Sequence, residues 1–175
     1  MIARAAEMRA GARLVVVVSG ADDDGTAGYR HMFDAAWAGL CALVDEGLLD
    51  EGEAVQMGMP HFGRDAADLA APFGDGHFAG LTIEELDTID SGDEFWGDYQ
   101  SDGDAARFGA RWAGIFAAAA FPSLATGLRS GHDDPRTAAI LDRLQTEVAG
   151  RLAAAPARMH IPVANVVLTK IGNGA

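Results

Sequence analysis

Residues 4–18, RAAEMRAGARLVVVV, decide the fold. Positions 2–9 read as a short helix that Gly11 stops, and Arg13–Ser19 (RLVVVVS) as a strand that is apolar almost throughout. Side chains of a strand alternate between its two faces, so an unbroken β-branched run predicts burial on both, as in the sheet of an α/β protein. Outward from this strand, Gly20–Gly28 (GADDDGTAG) is a polar loop, and Tyr29–Leu48 places Phe33, Ala36, Leu40, Val44 and Leu48 at helical spacing. Met57–Phe62 (MGMPHF) reads as extended because Pro60 forbids helix, and a helix follows from about Arg64 to Phe73. The alternation in Phe78–Asp90 predicts a second strand. An acidic, glycine-bearing loop with Phe95, Trp96 and Tyr99 then leads to a helix from about Asp104, which puts Phe108, Trp112, Ile115 and Phe116 on one face and is bent or ended by Pro122. Thr137–Leu152 aligns Leu141, Leu144, Val148 and Leu152 in a further helix, and Ile161–Ile171 reads as a last strand. No repeat and no Pro-, Gly- or Ser-rich linker divides the chain, so residues 1–175 are expected to form a single domain.

Composition narrows the function. The chain is 49% hydrophobic and 22% charged, apolar enough to fold around a core. A formal charge of −13 leaves no basic stripe to displace phosphate counterions, which excludes nucleic acid and anionic membranes as partners. Charges at Arg4, Glu7, Arg9 and Arg13 interrupt any secretory segment, and no apolar run nears the ~20 residues of a membrane span, so a soluble, cytoplasmic protein is expected. Cys41, the single cysteine, lies in an apolar helical run and reads as a buried, inert thiol.

Chemistry-bearing motifs are sparse. There is no G-x-S-x-G, H-E-x-x-H or phosphate-binding loop, and His31, His61, His77, His132 and His160 lack metal spacing. Asp22-Asp23-Asp24 reads as a solvated turn without the alternation of a calcium loop. A nucleotide site at Gly20–Gly28 is disfavoured by the missing G-x-G-x-x-G order and by three carboxylates that would repel a pyrophosphate.

Several local phrases resemble the C-terminal half of the SABATH group, the salicylate, benzoate and caffeine-pathway methyltransferases, and of its bacterial relatives. RAAEMRAGARLVVVV is similar to that family's "RAxELxxGGRMVL", LVDEGLL at Leu43–Leu49 to its "MVSEGLI", MGMPHF to its "FNIPxY", and IPVANVVLTKIG to its final strand. The resemblance implies the last three strands of a class I methyltransferase Rossmann-like sheet, near residues 13–19, 78–90 and 161–171, with an inserted helical cap at about 104–152. It further implies S-adenosylmethionine as methyl donor and a small hydrophobic acid, fatty or aromatic, as acceptor. In the family the donor lies over the first strands of the sheet, consistent with binding at a switch point of a doubly wound fold. The cofactor-binding half is therefore expected to be absent from this chain, leaving Arg13–Ser19 as an apolar edge that promotes self-association or pairs with a chain supplying that half.

Site residues follow from the same resemblance. Pocket positions fall on Met32, Phe33 and Phe62; His61, in the segment held open by Pro60, could reach an acceptor carboxylate; Trp96, placed in a loop of the cap region, is the aromatic best placed to line a pocket. No catalytic base is implied, because a carboxylate is already nucleophilic and alignment supplies most of the acceleration. Where some members hold magnesium, this sequence reads Val55, Gln56, Met57 and Gly58, which offers none of the family's acid and asparagine ligands, so no metal is expected. The competing reading is a non-catalytic relic or regulatory module that pairs with a full-length methyltransferase.

Overall fold

The structure, a computed structural model, describes residues 1–21, 28–59 and 62–172. In chain order its elements are α1 (Ile2–Glu7), β1 (Arg13–Ser19), α2 (Arg30–Asp45), α3 (Glu51–Gln56), α4 (Ala66–Ala70), β2 (Leu81–Asp90), α5 (Glu94–Asp102), α6 (Ala105–Leu124), α7 (Thr137–Ala154) and β3 (Pro162–Lys170). They form two compact units: Met1–Gly28, Phe62–Ser91 and Ile161–Ala175 make the sheet unit, and Tyr29–His61 with Gly92–His160 make the helical unit.

In the sheet unit the strand order is β1-β3-β2, with β3 antiparallel to both neighbours. Val16 stands opposite Val166, Ile89 opposite Val163, and a bulge lies between Ile83 and Glu85. One face is covered by α1 and by α4 with the turn after it: Ala5, Phe73, Leu81, Val166 and Leu168 form its buried core, flanked by Met8, Leu14, Val16 and Leu69. The other face is open, with Val15 62% and Val17 61% exposed. This corrects the expectation of burial on both faces. The all-valine run hides a period-two pattern in which Leu14, Val16 and Val18 turn towards the core side and Val15 and Val17 away from it.

Beyond β1, Gly20 bridges Arg64 in parallel, and the Ala21 N–H donates to the Arg64 carbonyl at 3.1 Å. The approach is close enough that a Cβ on Gly63 would lie 2.8 Å from that of Ala21.

The helical unit is built on α6 and α7. Phe108, Trp112, Phe116 and Ala120 on α6 and Ile140, Leu144, Val148 and Leu152 on α7 are buried. α2 joins them, with Gly39 against Leu144 and Val148 and the Arg151 guanidinium donating to the Ala38 carbonyl at 3.2 Å. Its buried residues are Met32, Ala35, Ala36, Gly39, Leu40 and Leu43, a stripe turned slightly from the expected one. Cys41, one residue past Leu40, is consequently exposed rather than buried, since each helical step turns the side chain by about 100°.

Two helices occupy stretches read from sequence as turn or loop. In α3, the Asp50 side chain accepts from the Glu53 N–H at 2.7 Å while the Glu53 carboxylate accepts from the Asp50 N–H at 3.2 Å, a reciprocal capping box. In α5, the Asp93 carboxylate caps the Trp96 N–H at 3.0 Å and Gly103, at φ 71°, ends the helix in a left-handed conformation. Trp96 therefore sits in the first turn of a helix and not in a loop. α6 continues two residues past Pro122 before it ends.

Candidate functional site

The residues expected to carry function divide between the units. Met32, Phe33 and Trp96 lie in the helical unit and Phe62 in the sheet unit, while His61 and the Asp22-Asp23-Asp24 turn fall outside the described residues.

Within the helical unit, the start of α2 is fixed by Tyr29. Its N–H donates to the His160 carbonyl at 3.0 Å, and its own carbonyl accepts from the Phe33 N–H at 3.0 Å. Tyr29 holds this position at φ 63°, a left-handed backbone that a bulky aromatic residue rarely adopts. Met32 is buried and Phe33 half-buried one turn further on.

Aromatic rings continue from this corner. Trp112, only 4% exposed, meets Tyr29 at 6.1 Å and Phe95 at 5.0 Å between ring centroids, both edge-on. Trp96 packs on Phe108 at 6.0 Å and on Tyr99 at 5.3 Å. Asp93 ties the cluster to the segment before β3: besides capping α5, its second oxygen accepts from the Met159 N–H at 2.8 Å. Sequence reading treated Trp112 as part of an ordinary helical stripe and did not single out Tyr29; no periodicity marks a residue whose importance comes from its backbone angle.

The electrostatics are those of a neutral aromatic cluster flanked by ion-paired acids on α5. Burial pushes the Tyr29 phenol up, so it stays protonated at physiological pH. Arg111 lies 3.7 Å over the Phe95 ring and is committed to Asp98 and Glu94. An open groove of about 400 Å³ between α6 and α7 is lined by Ala110, Ala113, Asp142, Gln145, Thr146 and Ala149, and includes none of the expected site residues.

Both strand pairs among the described residues are antiparallel, so they provide no crevice between the carboxyl ends of parallel strands in which a dinucleotide-like cofactor settles. These residues do not by themselves fit S-adenosylmethionine. No group of three His, Cys, Asp or Glu among them could hold a metal ion, and no described helix is long and apolar enough to cross a membrane.

No protein-family model and no curated protein matches the chain. Among solved structures, a loganic acid methyltransferase with SAH is similar over 98% of this chain and 46% of its own, at 17% identity and a TM-score of 0.68. The chain thus spans about half the length of that protein and falls on its C-terminal part. Its fold is that of the C-terminal part of a methyltransferase, a three-stranded piece of α/β sheet with an inserted set of helices.

Proposed function

We propose that the chain is the acceptor-binding part of an S-adenosylmethionine-dependent carboxyl methyltransferase acting in the cytoplasm, and that turnover needs a cofactor-binding half on the same or another polypeptide. The observation that carries this reading is the likeness of nearly the whole chain to the C-terminal part of a methyltransferase. The acceptor is a small hydrophobic carboxylic acid. Met32, Phe33 and Trp96 of the helical unit supply apolar and aromatic walls for its body, and Phe62 and His61 are further acceptor-binding candidates by resemblance alone, so that the chain's share of catalysis is orientation and exclusion of water. S-adenosylmethionine, held by the other half, supplies the methyl group.

Calorimetric titration with S-adenosylhomocysteine tests this. No saturable heat is expected from the chain alone. Co-expression with a polypeptide that carries the cofactor-binding half should restore saturable binding and yield a methyl ester from benzoate or a hydroxybenzoate. Saturable binding to the chain alone, or no binding after co-expression, would sink the proposal.

A second reading, a non-catalytic module that pairs with a full-length methyltransferase, is favoured by β1. Its outer edge has no strand partner among the described residues, and it carries neither lysine nor proline to discourage pairing. Under both readings this edge is a docking surface, and the chain alone should self-associate there. Replacing Val15 and Val17 together by Lys should shift the chain to monomer in light-scattering chromatography and change its stability little, because both side chains are exposed. A wild-type monomer, or an unaltered oligomer in the double variant, would argue against β1 as the contact.

A further inference from the structure

The indole Nε1 of Trp112 is buried and has no hydrogen-bond acceptor among the described residues, although Trp112 is almost wholly enclosed. A buried donor without an acceptor costs free energy, and native proteins keep few of them. This donor lies in the aromatic corner between Tyr29 and Phe95, where Tyr29 keeps its unfavourable φ of 63°. Orphaned donors and strained backbone both concentrate where a protein is shaped for something other than its own packing.

The chemistry around it selects the ligand group. Trp112 is 4% exposed, and the rings of Tyr29 and Phe95 meet its own edge-on. Tyr29 is held neutral by burial. An anion at so enclosed a donor would cost far more to desolvate than an uncharged oxygen, which needs only the indole donor and an aromatic wall.

We infer that Trp112 Nε1–H reads a neutral oxygen, a hydroxyl or carbonyl on the hydrophobic body of the acceptor, and leaves the reacting carboxylate to be held elsewhere. This rests on the proposed acceptor-binding function and narrows it to acids that carry a second oxygen function. Trp112 is then a specificity residue: it separates a hydroxylated acid from its plain analogue, because the plain analogue leaves the donor unmatched.

The test is a ¹H–¹⁵N titration of the labelled chain with benzoate, 3-hydroxybenzoate and 4-hydroxybenzoate, following the indole N–H signals of Trp37, Trp96 and Trp112, with Trp112→Phe used for assignment. One of the hydroxybenzoates should move the Trp112 indole proton downfield and benzoate should not. Trp112→Phe should weaken that hydroxybenzoate about fivefold or more and benzoate by less than about twofold. Should Trp112→Phe fail to fold, the wild-type titration decides alone. Acids that shift other resonances but leave the Trp112 signal in place would overturn this inference only, and would assign the donor to a ring face or a buried water. Acids that move no resonance would overturn it together with the acceptor-binding reading.

Discussion

Arg136→Ala should destabilise the chain by about 3 kcal/mol at neutral pH, more than loss of any surface ion pair. Arg136 sits between two carboxylates whose side chains are each only 4% exposed. It pairs with Glu53 through Nη2, donates to Asp134 from Nε at 3.0 Å and from Nη2 at 2.8 Å, and reaches the Leu48 carbonyl at 3.3 Å. Removing it leaves both acids enclosed without their main countercharge, which costs ~3–5 kcal/mol for a buried pair. The lower figure applies because the guanidinium is 39% exposed and Arg129, 3.7 Å from Glu53, still faces one acid. Arg136→Lys should recover only part of the loss, since an ammonium cannot span both carboxylates as the planar fork does.

The pH dependence fixes the cause. Hydrogen bonding from Arg136 holds Asp134 at about 2 and Glu53 below its ordinary value. Both folded pKa values lie under the unfolded ones, so the stability they contribute is complete above pH ~4.5 and is lost as pH falls towards 2. In Arg136→Ala the side-chain hydrogen bonds that depress the two carboxyls are gone, so both rise towards their ordinary values and less of the variant's stability is lost on acidification. The stability gap between wild type and variant, measured by urea melts, should therefore be constant above pH ~4.5 and narrow as pH falls towards 2. A gap that stays constant or widens over that fall would mean that the guanidinium acts through packing alone.

What the sequence disclosed, and what it hid, follows from the length of each signal. Three strands and the two long helices α6 and α7 were legible because burial imposes its period over many residues. Strand β2 begins at Leu81 rather than Phe78 because Phe78 and Leu81 hydrogen-bond to each other around Gly80, at φ 73°. α3 and α5 escaped notice because each is set by two capping residues, Asp50 with Glu53 and Asp93 with Gly103, inside stretches whose acidity reads as loop. The burial of β1 was misread for the opposite reason: four consecutive valines suit either face, and only the placement of α1 and α4 settles which one is covered. Candidate site positions came only through local resemblance, which named Met32, Phe33, His61, Phe62 and Trp96 and put Trp112 in the cap region as part of a helical stripe. The left-handed backbone of Tyr29 and the unmatched indole nitrogen of Trp112 leave no trace in sequence spacing.

Two glycines of α6 should respond in opposite directions to the same substitution. A Cβ on Gly109 would lie 2.9 Å from the Ala153 amide nitrogen and nearer still to the Ala149 carbonyl oxygen, whereas one on Gly114 would meet nothing within 4 Å. Ala is favoured over Gly inside a helix by about 1 kcal/mol, so Gly114→Ala should stabilise by roughly 0.5–1 kcal/mol. At Gly109 the same gain is outweighed, because the obstruction is backbone of α7 and cannot rotate away. Overpacking of this kind costs ~1–3 kcal/mol for a methyl group and more for a branched chain, so Gly109→Ala should be destabilising and Gly109→Val should cost about 3 kcal/mol or more. At ~2–4 °C per kcal/mol for a chain of this size, thermal melts would separate Gly109→Val from Gly114→Ala by roughly 10 °C. Equal melting temperatures for the two alanine variants would show that α6 and α7 do not approach this closely. The contact bears on function because Phe108 and Trp112 flank Gly109 on α6. A helix pushed off α7 carries the aromatic corner with it, so Gly109→Ala should also shift the Trp112 indole signal, while Gly114→Ala leaves it in place.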